Sequence, residues 1–190
     1  MPDKIDIHPL SAKRIPDYLD YFDNRAFADN PGWSSCYCHF LYADRKVKPW
    51  GEYKAQENRE AVIQLIGEGK LQGYLAYIDG QAIGWCNAAP KVLIPELRDL
   101  WPEDVEQVGS IGCFVIAKPF RGHGIGTQLL AAVCKGFGGM GLTIAEGYPL
   151  PRSKKESSTH FGPLQMFRSA GFEIYKRTAG RRLVVRKNLT

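Results

Sequence analysis

The apolar positions of the chain change period several times, and each change marks an element. Ile5 to Leu10 alternates apolar and polar residues, which predicts a strand ended by Pro9. From Asp17 to Phe27 the spacing becomes helical, with Tyr18, Leu19, Phe22 and Phe27 on or near one face, until Asn30-Pro31-Gly32 breaks it. Glu52 to Ile66 predicts a second helix, with Ala61, Val62, Leu65 and Ile66 apolar and Gly67 and Gly69 as its stop. Leu71 to Ile78 and Ala82 to Cys86 flank Asp79-Gly80, a pair suited to the tight turn of a hairpin. Pro90 to Pro102 reads as a loop, either a mobile flap over an active site or inert surface.

The second half is more regular. Glu106 to Ala117 predicts a long strand whose last part, Cys113-Phe114-Val115-Ile116-Ala117, is an unbroken apolar run, as a strand covered on both faces requires. Pro119 stops it. Helical character resumes from Thr127 to Val133, where Leu129, Leu130 and Val133 share an inward face, and Gly136, Gly138, Gly139 and Gly141 end that helix. Leu142 to Tyr148 predicts another strand, and Pro149 to Thr159 an exposed loop rich in Lys and Ser. Gly162-Pro163 opens a helix that Gly171 caps. Phe172 to Arg177 and Leu183 to Arg186 form a last hairpin around Ala179-Gly180. No repeat or linker interrupts this β-α-α-β-β-β-α-β-α-β-β order, so residues 1–190 are expected to form a single domain.

Between the long strand and the following helix lies Arg121-Gly122-His123-Gly124-Ile125-Gly126-Thr127. A helix N-terminus leaves its first N–H groups unpaired and carries partial positive charge. Glycines let that backbone approach a phosphate closely, and an arginine adds a permanent cation. The stretch is therefore a candidate diphosphate cradle; a tight strand-to-helix turn without a ligand is the alternative. It lacks the G-x-G-x-x-G spacing of a dinucleotide fold and the Lys-Ser/Thr pair of a P-loop.

Charge and cysteines change the picture little. The net charge of +5 favours an anionic cofactor, but apart from Lys154-Lys155 and Arg181-Arg182 it is spread too evenly for a nucleic-acid stripe. There is neither an eighteen-residue apolar run nor an apolar N-terminal signal core, so a cytoplasmic protein without a membrane partner is expected. The five cysteines then read as reduced thiols. Cys36-Tyr37-Cys38-His39 lacks a second ligand pair at zinc-finger spacing, so aromatic packing beside a ligand pocket is the better expectation and no metal is assigned.

Two spaced motifs add a family. Arg121-x-x-Gly124-x-Gly126, five residues after Ile116, resembles the Arg/Gln-x-x-Gly-x-Gly/Ala signature of the GNAT acyl-CoA-dependent N-acetyltransferases. Phe167-x-x-x-Gly171-Phe172 resembles their second landmark, aromatic-x-x-x-Gly-Phe. The resemblance covers roughly Leu71 to Val185. It implies an α/β (α+β) fold with one mixed, twisted sheet of six to seven strands and helices on both faces. It also implies acetyl-CoA as co-substrate, with the pantetheine arm pairing with Phe114, Val115 and Ile116. The pyrophosphate would sit on the amides of Gly122, His123, Gly124, Ile125, Gly126 and Thr127 beside Arg121. His160, near a common family asparagine, and Phe167 complete the implied cofactor site. The reaction implied is direct transfer of the acetyl group to the amine of a small-molecule or protein acceptor, by a monomer or homodimer.

The chain departs from the family pattern where proton transfer is concerned. Phe167 stands where many members have a tyrosine thought to act as the acid, and Ser110 stands near the position of a carboxylate base. Glu146 and Tyr148, two apart on one strand face, are the candidate replacements, with a purely structural role for both as the alternative. Trp33, Tyr37 and the Pro90 to Pro102 loop are expected to form the acceptor pocket. A non-catalytic acyl-CoA-binding module is the competing function, and a nucleotide-binding protein with a chance match is a third.

Overall fold

A computed structural model of the chain describes residues 4–100, 102–150, 160–178 and 182–189. Seven strands form one sheet: β1 (Asp6–Pro9), β2 (Gly73–Ile78), β3 (Gln81–Pro90), β4 (Val108–Ile116), β5 (Ile144–Gly147), β6 (Glu173–Arg177) and β7 (Leu183–Asn188), in the order β1-β2-β3-β4-β5-β7-β6. Neighbours are antiparallel except β4 and β5, which run parallel at the centre. Among the described residues, five α-helices accompany them: α1 (Ile15–Asn24), α2 (Ala55–Gly67), α3 (Pro95–Leu100), α4 (Ile125–Gly139) and α5 (Leu164–Ser169). The mixed sheet with helices on both faces is the α/β architecture that the family resemblance implied.

Each face buries its own core. On one side Leu129, Leu130, Val133 and Phe137 of α4 and Phe167 of α5 pack on Ala76, Ile83, Ile111, Phe114 and Val185. On the other, Tyr18, Tyr21 and Phe22 of α1 and Val62 and Ile66 of α2 pack on Leu75, Trp85 and Val115. Ile111 and Phe114 face the same side although they stand three positions apart, an odd spacing in a strand. The register slips at Asn87/Ala88 opposite Gly112, and this bulge inserts the extra residue that resets the alternation.

Several elements differ from the sequence pattern. The loop expected at residues 90–102 is instead the end of β3, a 3-10 turn (Lys91–Leu93) and α3. Pro95 begins that helix, where its missing N–H costs nothing, and Ile94 and Leu97 are buried against Tyr148 and Val184. The glycines expected to end α4 at Gly136 lie inside it. Gly136 serves close approach, because a Cβ there would stand 1.7 Å from the Tyr74 hydroxyl; the chain leaves the helix only near Gly141, at φ +80°. Helix α1 starts two residues early, at Ile15-Pro16, and stops at Asn24. Most of the loop after Leu150, including Lys154-Lys155, and the Ala179-Gly180 turn lie outside the described residues.

Candidate active site

The site begins where two strands part. Strand β4 pairs with β5 only from Val108↔Ile144 to Ile111↔Gly147, and β5 then ends, while β4 runs on to Ile116. Beyond Gly147 the chain turns to bridge Leu150 with Pro163. Residues 112–116 of β4 therefore keep one partner strand, β3, and expose the other backbone edge. Ala117 N–H donates to Ile83 O at 3.0 Å. By the two-residue alternation of an antiparallel ladder, the N–H groups of Phe114 and Ile116 then face the open side.

A cavity of about 800 Å³ fills this opening. Phe114, Val115 and Ile116 form one wall, Gly122, Gly124, Ile125, Gly126 and Thr127 the base, and Trp33, His160, Pro163 and Met166 the opposite side. Gly124 is the residue before the first turn of α4, at φ +77°, a left-handed conformation that L side chains resist. No side chain caps α4, so the amides at its start point into the cavity with no helical acceptor. A Cβ built on Gly122 or Gly124 meets nothing within 4 Å, which leaves room for a phosphate against the backbone.

Arg121 lines the cavity but is engaged. Its Nε donates to Ile116 O at 2.9 Å, and its two terminal nitrogens grip Asp29 at 2.7 and 3.0 Å. The guanidinium in turn holds the Asp29 carboxyl below its usual value. The arginine thus ties the turn after β4 to the loop after α1.

A second cavity of about 410 Å³ adjoins the first, with Phe27, Trp33, Val115 and His160 common to both. Its other walls are Phe40, Leu41, Trp50, Phe161, Cys36, Cys38, Gly112, Cys113, Glu96 and Arg182. The segment between α1 and α2 that supplies most of these is pinned from beneath. His39 Nδ1–H donates to Asn58 Oδ1 at 2.7 Å, Asn58 donates to Ser35 O, and the Tyr18 hydroxyl donates to Tyr37 O. The Cys113 thiol, hydrogen-bonded to Cys38 and partly buried, has its pKa raised well above the usual thiol value; burial and Cys38 push Cys36 to about 12. Cys36 and Cys113 are thereby held as neutral thiols rather than nucleophiles. Among the described residues, no group of three His, Cys, Asp or Glu side chains is arranged to hold a metal ion.

This arrangement of strand, glycine turn and helix has relatives. A family model described as the acetyltransferase (GNAT) family matches residues 35–145. The chain belongs to that family. No curated protein sequence matches it, but solved structures do. The PaiA N-acetyltransferase of Thermoplasma acidophilum, in complex with coenzyme A, aligns with a TM-score of 0.56 at 13% identity over 97% of this chain and 99% of its own. An acetyltransferase of Thermus thermophilus gives 0.59 at 14% identity over 97% of each chain. The ribosomal-protein-S18-alanine N-acetyltransferase of Escherichia coli gives 0.54 at 12%, over 98% of this chain and 95% of its own. At these identities the likeness establishes the fold.

Within this GNAT fold the sequence candidates separate. His123 is exposed and outside both cavity walls. Phe167 is fully buried behind the first cavity, edge-on to Phe114 and Phe172. Trp33 stands at the junction, edge-on to His160 at 5.0 Å between centroids. Tyr37, expected beside it, turns inward instead. Tyr37 and Cys38 are consecutive left-handed residues, which drives the Tyr37 ring onto Phe22 and its hydroxyl to Asp23.

Glu146 and Tyr148 also lie outside the lining of either cavity, and both side chains are fully buried. They do share a face: the Tyr148 hydroxyl donates to Glu146 Oε1 at 2.6 Å. The same oxygen accepts Lys91 Nζ at 2.6 Å, and Oε2 accepts Arg186 Nε at 2.6 Å. Ser110 donates to the Tyr148 oxygen. Burial and the neighbouring Glu146 charge push the Tyr148 pKa well above the usual phenol value. Lys91 and Arg186 are the functional-site neighbours that sequence reasoning missed. No local pattern marks a lysine at the end of a strand as the partner of a carboxylate 55 positions on.

Proposed function

We propose that the protein is an acetyl-CoA-dependent N-acetyltransferase acting on a small amine. The observation that carries this reading is the parting of β4 from β5 at Ile111↔Gly147, directly before an uncapped helix N-terminus with left-handed glycines. The residues fit the co-substrate. The open edge at Phe114 and Ile116 suits a pantetheine arm, which has the amide groups of a peptide strand. The amides of Ile125, Gly126 and Thr127 suit its pyrophosphate. When bound, the thioester supplies the acyl group and a thiolate leaving group.

The acceptor belongs in the smaller cavity, with its amine at the wall shared by Trp33, Val115 and His160. A free amine is mostly protonated near neutral pH, so a group must take a proton there. His160 is the titratable residue on that shared wall, and its imidazole is assigned this task. The Ile116 N–H, on the open edge, is assigned to stabilise charge on the carbonyl oxygen. Glu146 and Tyr148 are assigned a different role from the one their spacing suggested. Both Glu146 oxygens are already taken by Lys91, Tyr148 and Arg186 away from either cavity, and a raised phenol pKa makes Tyr148 a poor acid. They instead hold β4 and β5 together where the strands begin to part.

Thermal unfolding with acetyl-CoA, coenzyme A and NAD tests the cofactor, since a ligand bound only to the folded state raises its melting temperature. Chromatographic detection of acetylated product across an amine panel tests transfer. Stabilisation by coenzyme A with no product from any amine would leave a binding module. Stabilisation by NAD alone would remove both readings.

A further inference from the structure

The smaller cavity has a charge pattern that selects among amines. Five aromatic rings line it: Phe27, Trp33, Phe40, Trp50 and Phe161. Two charged side chains also reach it, Glu96 and Arg182. Glu96 is already neutralised, because Arg45 forms an ion pair with it while stacking on Phe40 at 4.1 Å. Arg182 has no carboxylate of its own among the described residues. Its guanidinium lies 4.2 Å from the Phe161 ring centroid, and the nearby Glu96 and Arg45 act on it in opposite directions. Among the described residues, Glu96, Arg45 and Arg182 together therefore carry one net positive charge beside the apolar lining. Partial burial disfavours that charge, and an anion entering the cavity would compensate it.

Position matters as much as charge. The Phe161 ring that supports Arg182 is also packed against His160, with centroids 3.9 Å apart. The cation is thus one aromatic ring away from the wall where the acceptor amine would be deprotonated. A molecule with amine and carboxylate on the same or adjacent carbons spans that interval. A cavity of about 410 Å³ suits one of amino-acid size.

We infer that the acceptor is a free amino acid with an apolar or aromatic side chain. Its carboxylate pairs with Arg182, and its side chain lies among Trp33, Phe40 and Trp50. This inference rests on the acetyltransferase reading for its chemistry, but not for the binding step. The transfer forms a bond between the amine nitrogen and the acyl carbon and breaks the carbon–sulfur bond. The ammonium form gives one proton to His160 before attack, and the nitrogen's second proton is taken up by the departing thiolate as the tetrahedral intermediate collapses, so one proton is released overall.

The test compares L-phenylalanine, L-phenylalanine amide, phenethylamine and an alanine-terminated peptide, for wild type and for Arg182→Met. Turnover with acetyl-CoA and quenching of tryptophan fluorescence, from Trp33 and Trp50 in the wall, are both read. Wild type should favour L-phenylalanine over phenethylamine by about 10–100-fold in kcat/KM, the range of a charge-assisted hydrogen bond. Arg182→Met should erase most of that preference and leave the acetyl-CoA KM unchanged, with Arg182→Lys intermediate. Equal turnover of phenethylamine, a peptide as best acceptor, or an equal loss for all acceptors in Arg182→Met would overturn the inference while the acetyltransferase reading stands. Arg182-dependent quenching by L-phenylalanine with no product from any amine would sustain amino-acid recognition and overturn acetyl transfer. If Arg182→Met misfolds by circular dichroism, the wild-type preference and Arg182→Lys decide alone.

Discussion

Lys91 Nζ lies 2.6 Å from Glu146 Oε1, and both side chains are completely buried. The pair joins the end of β3 to β5 across β4, and Arg186 extends it to β7 and, at 2.6 Å, to Asp104. Removing Glu146 strands the Lys91 ammonium away from water, whereas removing Lys91 leaves the carboxylate with Arg186 as its remaining cation. Glu146→Gln is expected to cost about 3–5 kcal/mol in unfolding free energy by urea titration, and Lys91→Met less. The Lys91→Met/Glu146→Gln double variant should cost clearly less than the sum of the two single changes, since neither leaves the other uncompensated. Additive losses would show that the pair is not coupled.

The same pair separates two accounts of catalysis. If Glu146 holds strands, Glu146→Gln lowers activity but keeps the acidic limb of the pH–rate profile. His160→Ala, by contrast, should cut kcat/KM by about 10²–10⁴-fold and abolish that limb. Loss of the limb in Glu146→Gln alone would return the base role to the carboxylate.

Gly124 is both left-handed and at the base of the larger cavity. Gly124→Asp adds a carboxylate beside the amides that a phosphate needs, with about 1–2 kcal/mol of backbone strain. Coenzyme A affinity by calorimetry should fall more than tenfold, with an unchanged circular dichroism spectrum. Wild-type affinity in that variant would remove the cradle.

Trp33 borders both cavities, whereas Trp50 borders only the smaller one. Trp50→Ala should raise the acceptor KM several-fold without moving the acetyl-CoA KM, and Trp33→Ala should raise both. A change in the acetyl-CoA KM alone for Trp50→Ala would reverse the assignment of the cavities.

His39 links the cavity segment to α2 through Asn58, and burial lowers its pKa from the usual 6.5. The folded state therefore binds this proton less readily than the unfolded chain does. Its contribution to stability is complete above about pH 6.5 and is lost progressively as the pH falls below that value toward the depressed folded pKa. The melting temperature should decline over that acidic interval, and His39→Gln should flatten the decline. An identical pH dependence in the variant would place the sensitivity elsewhere.

The sequence by itself determined the local events of this fold. The apolar run into Pro119, the left-handed glycines 122 and 124 and the amphipathic start of α4 depend on residues a few positions apart, whose dihedral preferences and periodicities are written in order. For the same reason the glycine turn and Phe167-x-x-x-Gly171-Phe172, taken together, were enough to point to the family. The tertiary structure decided what depends on distant encounters. The bulge at Gly112 appears only when β4 meets β3, and it brings Phe114 onto the same face as Ile111. Pro95–Leu100 became helix because Ile94 and Leu97 found a core made by Tyr148 and Val184, beyond the reach of any local window. Tyr37 turned inward once Phe22 and Asp23 were beside it. Glu146 and Tyr148 shared a face as their spacing required, but Lys91 and Arg186, brought from β3 and β7, filled that face with cations and left the two side chains outside the walls of both cavities.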